Sequence, residues 1–257
     1  MARNMRASAL EARLEPIVAV GNSYPAGHRH PLHRHRRNQV LYASTGVMVV
    51  ETVQGTWVVP PQRAVWIPSG IDHEIRMIGD VSTRSVYLKD GVIEKASDRC
   101  QVLGVTPLLG RLLTEAVDLP VAYELDERAN HIMRLIILEL RSTVELPLNV
   151  PIPAHAKLQL KCRYFLARPN SGDNIDDWAA DLHMSRRAFT RLFRQETGMS
   201  LSEWRQQAIV VTALSRLASG EPVTVVALDC GYSNAGAFSS MFRRVTGTAP
   251  THYFFEI

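Results

Sequence analysis

The sequence predicts a two-domain α+β chain. A strand-rich N-terminal half would close into a small barrel with helices appended, and an all-α C-terminal half would carry two helix-turn-helix motifs. Three observations carry this expectation. Short β-branched and aromatic runs, most of them separated by Gly, Pro, Asn, Asp or Ser, occupy residues 16–89. Apolar residues at helical spacing take over from Thr106. A helical unit then occurs twice, Ser185–Gly198 and Asn234–Gly247, at an offset of 49 residues.

Seven runs support the strands: 17–20, 40–42, 46–53, 56–59, 63–67, 73–77 and 83–88, with Gln54-Gly55 as a hairpin signal. Many short strands at near-even spacing suit a barrel or sandwich. Ahead of them, Met1–Glu15 has arginines but no apolar run to follow, so it reads as a mobile arm and not a signal peptide. Within the strands, Gly27, His33, His35, Gln39 and Gly46 have the spacing of the first motif of the cupin barrels, with Gln39 where Glu is usual. Pro68-Ser-Gly70-Ile-Asp-His73 resembles the second motif. The resemblance implies that His33, His35, Gln39 and His73 point inward and could bind a metal. His33 and His35 are two apart on a strand and share a face. Three imidazoles and an amide oxygen would suit a divalent transition metal. Against this, His28–Arg37 form one basic cluster of the kind that usually lies in a solvated loop, and the acidic ligand is lost. An effector pocket lined by the same four residues is the preferred reading. Trp57 and Trp66 read as core or pocket wall.

Thr106-Pro107 is a cap followed by Pro at the first helical position. Leu108, Leu109, Leu112, Leu113 and Val117 continue that helix until Pro120. A second helix, 126–142, is apolar around more of its circumference than a surface helix needs, which suits packing on the barrel and on a second copy of the chain. Leu146–Pro153, with three prolines, reads as a semi-rigid linker.

Beyond it, residues 154–168 form the first C-terminal helix. Asn174 caps a short helix that ends near Asp181, and Leu182-His183-Met184 turns into the first repeat copy. At 100° per residue, Ala188, Phe189, Leu192 and Phe193 share one face, while Arg186, Arg187, Thr190, Arg191 and Arg194 share the other. Ser200 and Glu203 form a capping box opening a long helix to Gly220. Pro222 starts another short helix, and Gly231-Tyr232-Ser233 turns into the second copy. Gly198 and Gly247 end the two repeated helices. A tight turn between two helices, the second with an exposed basic face, is the helix-turn-helix arrangement.

These residues, Leu182–Ser200 and Val226–Tyr253 with Cys-Gly-Tyr-Ser, Phe-Arg-Arg and Gly-x-x-Pro at their spacings, resemble the DNA-binding domain of the AraC/XylS regulators. The resemblance covers about residues 154–253 and implies two motifs in successive major grooves, roughly 34 Å apart. This chain departs from a symmetric reading, because the positions matching 186, 187, 190, 191 and 194 are Ala235, Gly236, Ser239, Ser240 and Arg243. The expected DNA-binding set on the first helix is therefore Ser185, Arg186, Arg187, Thr190, Arg191 and Arg194, with Arg186, Arg187, Thr190 and Arg191 reading bases. On the second it is Asn234, Ala235, Gly236, Ser239, Ser240 and Arg243, which position the protein on phosphates or, alternatively, let Ala235 or Ala237 approach a thymine methyl.

Composition sets the remaining bounds. The chain has 257 residues, 46% of them hydrophobic and 21% charged, with a net charge of +4. From His155 onward there are 12 Lys+Arg against 9 Asp+Glu, so clustering and not bulk charge marks a nucleic-acid binder. Cys100, Cys162 and Cys230 are too scattered for a metal pair and suggest reduced thiols in the cytoplasm. No apolar run could span a bilayer. No nucleophilic triad, phosphate-cradling loop or dinucleotide fingerprint is present.

The expected organisation is thus an arm at 1–15, a cupin-like sensor barrel at 16–95, a helical and dimerising segment at 96–145, a linker at 146–153, and a DNA-binding domain at 154–257 with motifs at 174–197 and 222–246. The expected function is transcription regulation without catalysis. Promoter DNA, a small-molecule or metal effector, RNA polymerase and a second copy are the expected partners. The alternatives are a metal-dependent cupin dioxygenase or isomerase fused to a DNA-binding domain, and an architectural DNA binder without a ligand.

Overall fold

The computed structural model of the chain describes residues 13–94, 97–120 and 126–253. Most of the expected arm, residues 1–12, lies outside them, as does the expected boundary at 95–96. The chain divides into two compact units. One holds the residues up to Thr52 with Val59–Leu146, and the other holds Val53–Val58 with the residues from Pro147 onward.

The first unit is an antiparallel sheet. Its strands are β1 (Ile17–Tyr24), β2 (Arg29–His33), β3 (Asn38–Glu51), β5 (Arg63–Ile67), β6 (His73–Leu88), β7 (Gln101–Gly104) and β8 (Glu145–Leu146), with β4 (Gly55–Val59) following β3 in the chain. The order is β1-β6-β3-β5-β7-β8, and β2 also pairs with β6. Two pairs of runs expected as separate strands are fused, because 40–42 and 46–51 of the run 46–53 lie within β3 while 73–77 and 83–88 lie within β6. The glycine that seemed to divide β3 marks a bulge. The register between β3 and β6 shifts at Ala43–Thr45 and Thr45–Val47. Gly46 sits there at φ 70, where an added Cβ would lie 2.5 Å from the Asp80 carbonyl oxygen.

The segment whose composition suits a solvated basic loop is partly strand, but the strand ends at His33, so His35 lies beyond it and not two along the same strand as expected. Arg29 pairs with Arg76 and His33 with His73. Beyond it, His35 and Arg37 are buried. The Arg37 guanidinium donates to the carbonyls of Glu15 (2.8 Å) and Arg13 (2.5 Å), which satisfies a cation that could not otherwise leave water.

Helices α1 (Pro107–Ala116) and α2 (Glu127–Arg141) cover one sheet face. Thr106 caps α1 with Pro at its first turn, and Asp126 caps α2. Leu109, Leu113, Met133, Ile136 and Leu140 join Val40, Tyr42, Trp66 and Leu88 in one core. The far side of α2 leaves Leu135 42% and Leu138 54% exposed.

The second unit begins with a strand pair. β4 pairs antiparallel with β9 (Asn149–Pro151), Gly55 opposite Pro151 and Trp57 opposite Asn149. The stretch expected as a linker is therefore folded structure, with Leu148, Val150 and Ile152 buried. That period-2 alternation was readable beneath the prolines. Six helices follow: α3 (Ala156–Ala167), α4 (Ile175–Asp181), α5 (Arg186–Thr197), α6 (Leu201–Ala218), α7 (Val223–Asp229) and α8 (Ala235–Thr246). Trp178 is the hub of the core around α3–α6. Its ring centre lies 5.9 Å from Phe165, 6.0 Å from Trp204, 6.2 Å from Phe193 and 6.4 Å from Phe189. The Trp204 indole N–H donates to the Pro151 carbonyl at 2.8 Å, fastening β9 to α6. The Glu196 carboxylate on α5 accepts from the backbone N–H groups of Ala154 (2.8 Å) and His155 (3.0 Å), anchoring the start of α3.

Candidate nucleic-acid interface and effector cavity

Helix α5 has the two faces its sequence demands. Phe189 and Phe193 are buried, while Ser185, Arg186, Arg187, Thr190, Arg191 and Arg194 are all exposed. Its ends are sealed locally. The Ser185 hydroxyl accepts from the Ala188 N–H at 3.3 Å, and Gly198 takes the left-handed conformation at φ 74 with its N–H on the Arg194 carbonyl. The exposed face is not uniform. Arg186 faces Asp176 on α4 at 3.6 Å, so part of its charge is already answered. The Thr190 hydroxyl turns back onto the Arg186 carbonyl at 2.8 Å. Among the described residues, Arg187 and Arg191 have no carboxylate within ion-pair distance.

Helix α8 repeats the scaffold with two arginines in place of four. The Asn234 side chain accepts from the Ala237 N–H at 2.9 Å, and Gly247 ends the helix at φ 84. Phe238, Met241 and Phe242 are buried. Asn234, Gly236, Ser240 and Arg243 are exposed, and Ala235 and Ser239 are half-buried. Arg244 is exposed beside Arg243.

The repeat reaches further back than the aligned residues suggest, with a one-residue change of offset. Before α5, the His183 N–H donates to the Ala180 carbonyl and the Met184 N–H to the Ala179 carbonyl, both at 2.9 Å. Before α8, Gly231 N–H donates to Leu228 (2.9 Å) and Tyr232 N–H to Ala227 (3.0 Å). The two turns therefore close alike, but at an offset of 48 residues, so the second holds one extra residue before its N-cap. The left-handed position is His183 (φ 56) in one turn and Gly231 (φ 79) in the other. The last residue of each short helix also pairs with a cation on the long helix before it. Asp181 meets Lys161 of α3, and Asp229 meets Arg216 of α6 at 2.6 Å. Arg216 also reaches Glu221 at 2.5 Å, and these two carboxylates raise its already high pKa. Sequence comparison missed these pairs because their cations lie 20 and 13 residues away.

In the first unit, a cavity of about 460 Å³ opens among Tyr24, His28, His30, His33, Gln39 and Tyr87, with Asn22, Thr83 and Ser85 also in its wall. Tyr24 stacks on His28 at 4.8 Å. Of the four residues singled out in the sequence, His33 and Gln39 line the cavity. Buried His35 and His73 pack against His33, with ring centres 6.2 and 4.3 Å away. The imidazole Nδ1–H groups of His33 and His73 donate to the carbonyls of Pro31 and Ile71, while His35 meets an oxygen at each ring nitrogen, the Arg37 carbonyl at 2.5 Å from Nδ1 and the Gln39 amide oxygen at 3.0 Å from Nε2. Burial lowers the His73 pKa to about 4, so the ring is neutral at pH 7, and its Nε2 has no hydrogen-bond partner among the described residues.

This set does not fit the metal that the cupin resemblance implies. His35 Nε2 and the Gln39 amide, 3.0 Å apart, are spent on each other, and Gln39 is held further by Ser85 and Tyr87 at 3.2 and 2.9 Å. Among the described residues, no group of three His, Cys, Asp or Glu side chains is arranged to hold an ion. No helix among them is long and apolar enough to cross a membrane.

Comparison with known proteins bears on both units. The family model of an AraC-like ligand-binding domain matches residues 16–150, and a helix-turn-helix domain model matches 178–255. The chain is 28% identical over 223 residues to the HTH-type transcriptional regulator NimR of Escherichia coli, covering 87% of this chain and 81% of that protein. It is 31% identical over 103 residues to the HTH-type transcriptional regulator RipA of Corynebacterium glutamicum, covering 40% of this chain and 31% of that one. Among solved structures it is similar to ToxT from Vibrio cholerae with a bound unsaturated fatty acid, at TM-score 0.38 and 10% identity, covering 93% and 95% of the two chains.

Proposed function

The chain belongs to the AraC-like transcription regulators, with a ligand-binding domain and a helix-turn-helix DNA-binding domain, and from that premise we propose how its two units divide the work. Helix α5 reads base edges in a major groove. Arg187 and Arg191 carry that reading, because they are long, exposed and free of ion pairs among the described residues. Ser185, Arg186, Thr190 and Arg194 support it from the same face. Helix α8 enters a neighbouring groove and positions the protein on phosphates through its N-terminal N–H groups, Asn234, Ser239, Ser240, Arg243 and Arg244, while Ala235 and Gly236 allow close approach. The observation that carries this reading is the exposed cationic face of α5, with Arg187 and Arg191 free of ion pairs among the described residues, opposite its buried phenylalanines.

The cavity around His33, Gln39 and Tyr87 is proposed as the site of a small-molecule effector. It is polar, aromatic and of ligand size. The exposed Leu135 and Leu138 of α2 are proposed to face a second copy of the chain, and RNA polymerase is the proposed downstream partner, both in the cytoplasm. The effector would act by shifting the population of the DNA-binding conformation. The deciding experiment selects a duplex from a randomised pool with the wild-type chain and compares it with its scrambled version by titration at two salt concentrations. The selected duplex should bind at least about 1,000-fold tighter, with affinity falling as salt rises. Equal affinity for both duplexes ends the proposal.

A further inference from the structure

The two helix pairs are joined by more than the helix α6 that runs between them. The loop 170–173 leads from α3 to Asn174, the N-cap of α4, so it sets where the first pair begins. The turn of the second pair is bonded to this loop. The Ser171 N–H donates to the Cys230 carbonyl at 2.8 Å, and the Ser171 hydroxyl donates to the Gly231 carbonyl at 2.5 Å. The approach is close. A Cβ on Gly231 would lie 2.3 Å from the Asn170 side-chain oxygen and 3.0 Å from the Ser171 nitrogen.

Arg205, near the start of α6, bonds to the same loop. Its Nη2 donates to the Ser171 carbonyl at 2.6 Å and reaches the Asn170 carbonyl at 3.5 Å. Its guanidinium lies over the Phe165 ring, 5.9 Å from the centroid. Asp173 of this loop and Tyr232 of the second pair's turn are the charged or titratable groups that face it. A planar fork that stacks and reaches two carbonyls at once is a task for Arg and not for Lys.

We propose that Arg205 is a positioning residue for DNA recognition: by holding the 170–171 loop against the Cys230–Gly231 turn, it fixes the second helix pair relative to the first and so sets the base-pair spacing between the two grooves the protein accepts. This rests on the reading that α5 and α8 enter separate grooves. Arg205 itself lies on α6, on neither recognition helix.

The test uses the full chain and the duplex selected by the wild type. Three DNAs are compared: that duplex, the same duplex with the α8 half scrambled, and a series with base pairs inserted between the halves. Arg205→Gln should bind the half-scrambled duplex as wild type does. It should lose about 10-fold on the intact one, because the second contact no longer arrives pre-aligned, and should discriminate spacing less sharply. Arg205→Lys should behave like Arg205→Gln. Equal loss on every DNA, or an unchanged spacing profile, overturns the proposal. Ser171→Ala removes only the hydroxyl bond to Gly231 and should show the same pattern, smaller. Should Arg205→Gln not fold, Ser171→Ala decides, and an unchanged spacing profile in that variant overturns the proposal. If the wild type itself binds the half-scrambled duplex as tightly as the intact one, the two-groove reading fails, and this proposal with it.

Discussion

Helices α5 and α8 are built on one plan and equipped for different tasks. Both start on a polar N-cap and end on a left-handed glycine. Thr197 and Thr246 even return the same hydroxyl bond to the carbonyl four residues back, at 2.7 and 2.9 Å. Both bury two phenylalanines below 2% exposure. Yet one carries four arginines and the other two. What is kept between the copies is what a helix needs to start, stop and pack. What has diverged is the exposed side, whose one ion pair among the described residues is the surface contact of Arg186 with Asp176, and there a change costs the fold little. The contrast teaches that repetition locates the scaffold, while departure from repetition locates the face on which the proposed base reading rests.

The comparison can be broken first at its shared part. Phe193→Ala and Phe242→Ala each remove a fully buried ring and should each cost about 3–5 kcal/mol in urea unfolding. A difference of most of that amount between them would show that the two cores are not equivalent. The divergent faces are next. Arg187→Ala and Arg191→Ala should each cost about 1–3 kcal/mol on a selected duplex and relax base preference, whereas Arg243→Ala should weaken selected and scrambled DNA alike. Competition titrations separate these outcomes, and a uniform loss for all three variants would erase the distinction between reading and positioning.

The turns sharpen it further. Gly231→Ala meets both a left-handed backbone and the Asn170 side chain, so its loss should exceed the roughly 1–2 kcal/mol of the backbone alone. His183→Gly relieves that backbone in the first turn and should leave stability unchanged or raise it by up to about 1 kcal/mol. Thermal melts of both variants test the pairing of these positions. The smallest effect expected is within the basic face itself. Arg186, shared with Asp176 at an exposed site, should lose less on substitution by Ala than Arg187 does, by up to about 1 kcal/mol. Equal losses would mean that the Asp176 contact does not restrain it.

How much of this was legible varied by element. The caps at Thr106, Asp126, Asn174, Ser185, Ser200 and Asn234 were readable, since each is a polar side chain within three residues of the N–H it serves. The buried and exposed faces of α5 followed from periodicity. Gly46 misled, because a bulge and a strand end ask for the same residue. The basic cluster at 28–37 misled too. Its composition is that of a loop, and only pairing with β6 makes part of it strand. The stretch 146–153, where the two units divide, was read only as a linker because prolines outweighed the alternation of Leu148, Val150 and Ile152. The four cupin-like residues were correctly brought to one place, but the spacing that did so said nothing of how their nitrogens and the Gln39 amide would be used.

By itself, then, the sequence determined whatever is decided within one or two helical turns: where helices begin and end, which face is apolar, and that one unit is used twice. Only the tertiary structure decided which arginines remain unpaired, that β4 and β9 pair across 94 residues of chain from Thr56 to Val150, and that Arg205 meets the loop at 170–171. The physical reason is range. Backbone capping and amphipathic periodicity are satisfied by near neighbours, whereas ion pairing, strand register and cavity walls depend on partners that only the folded chain brings within a few ångströms.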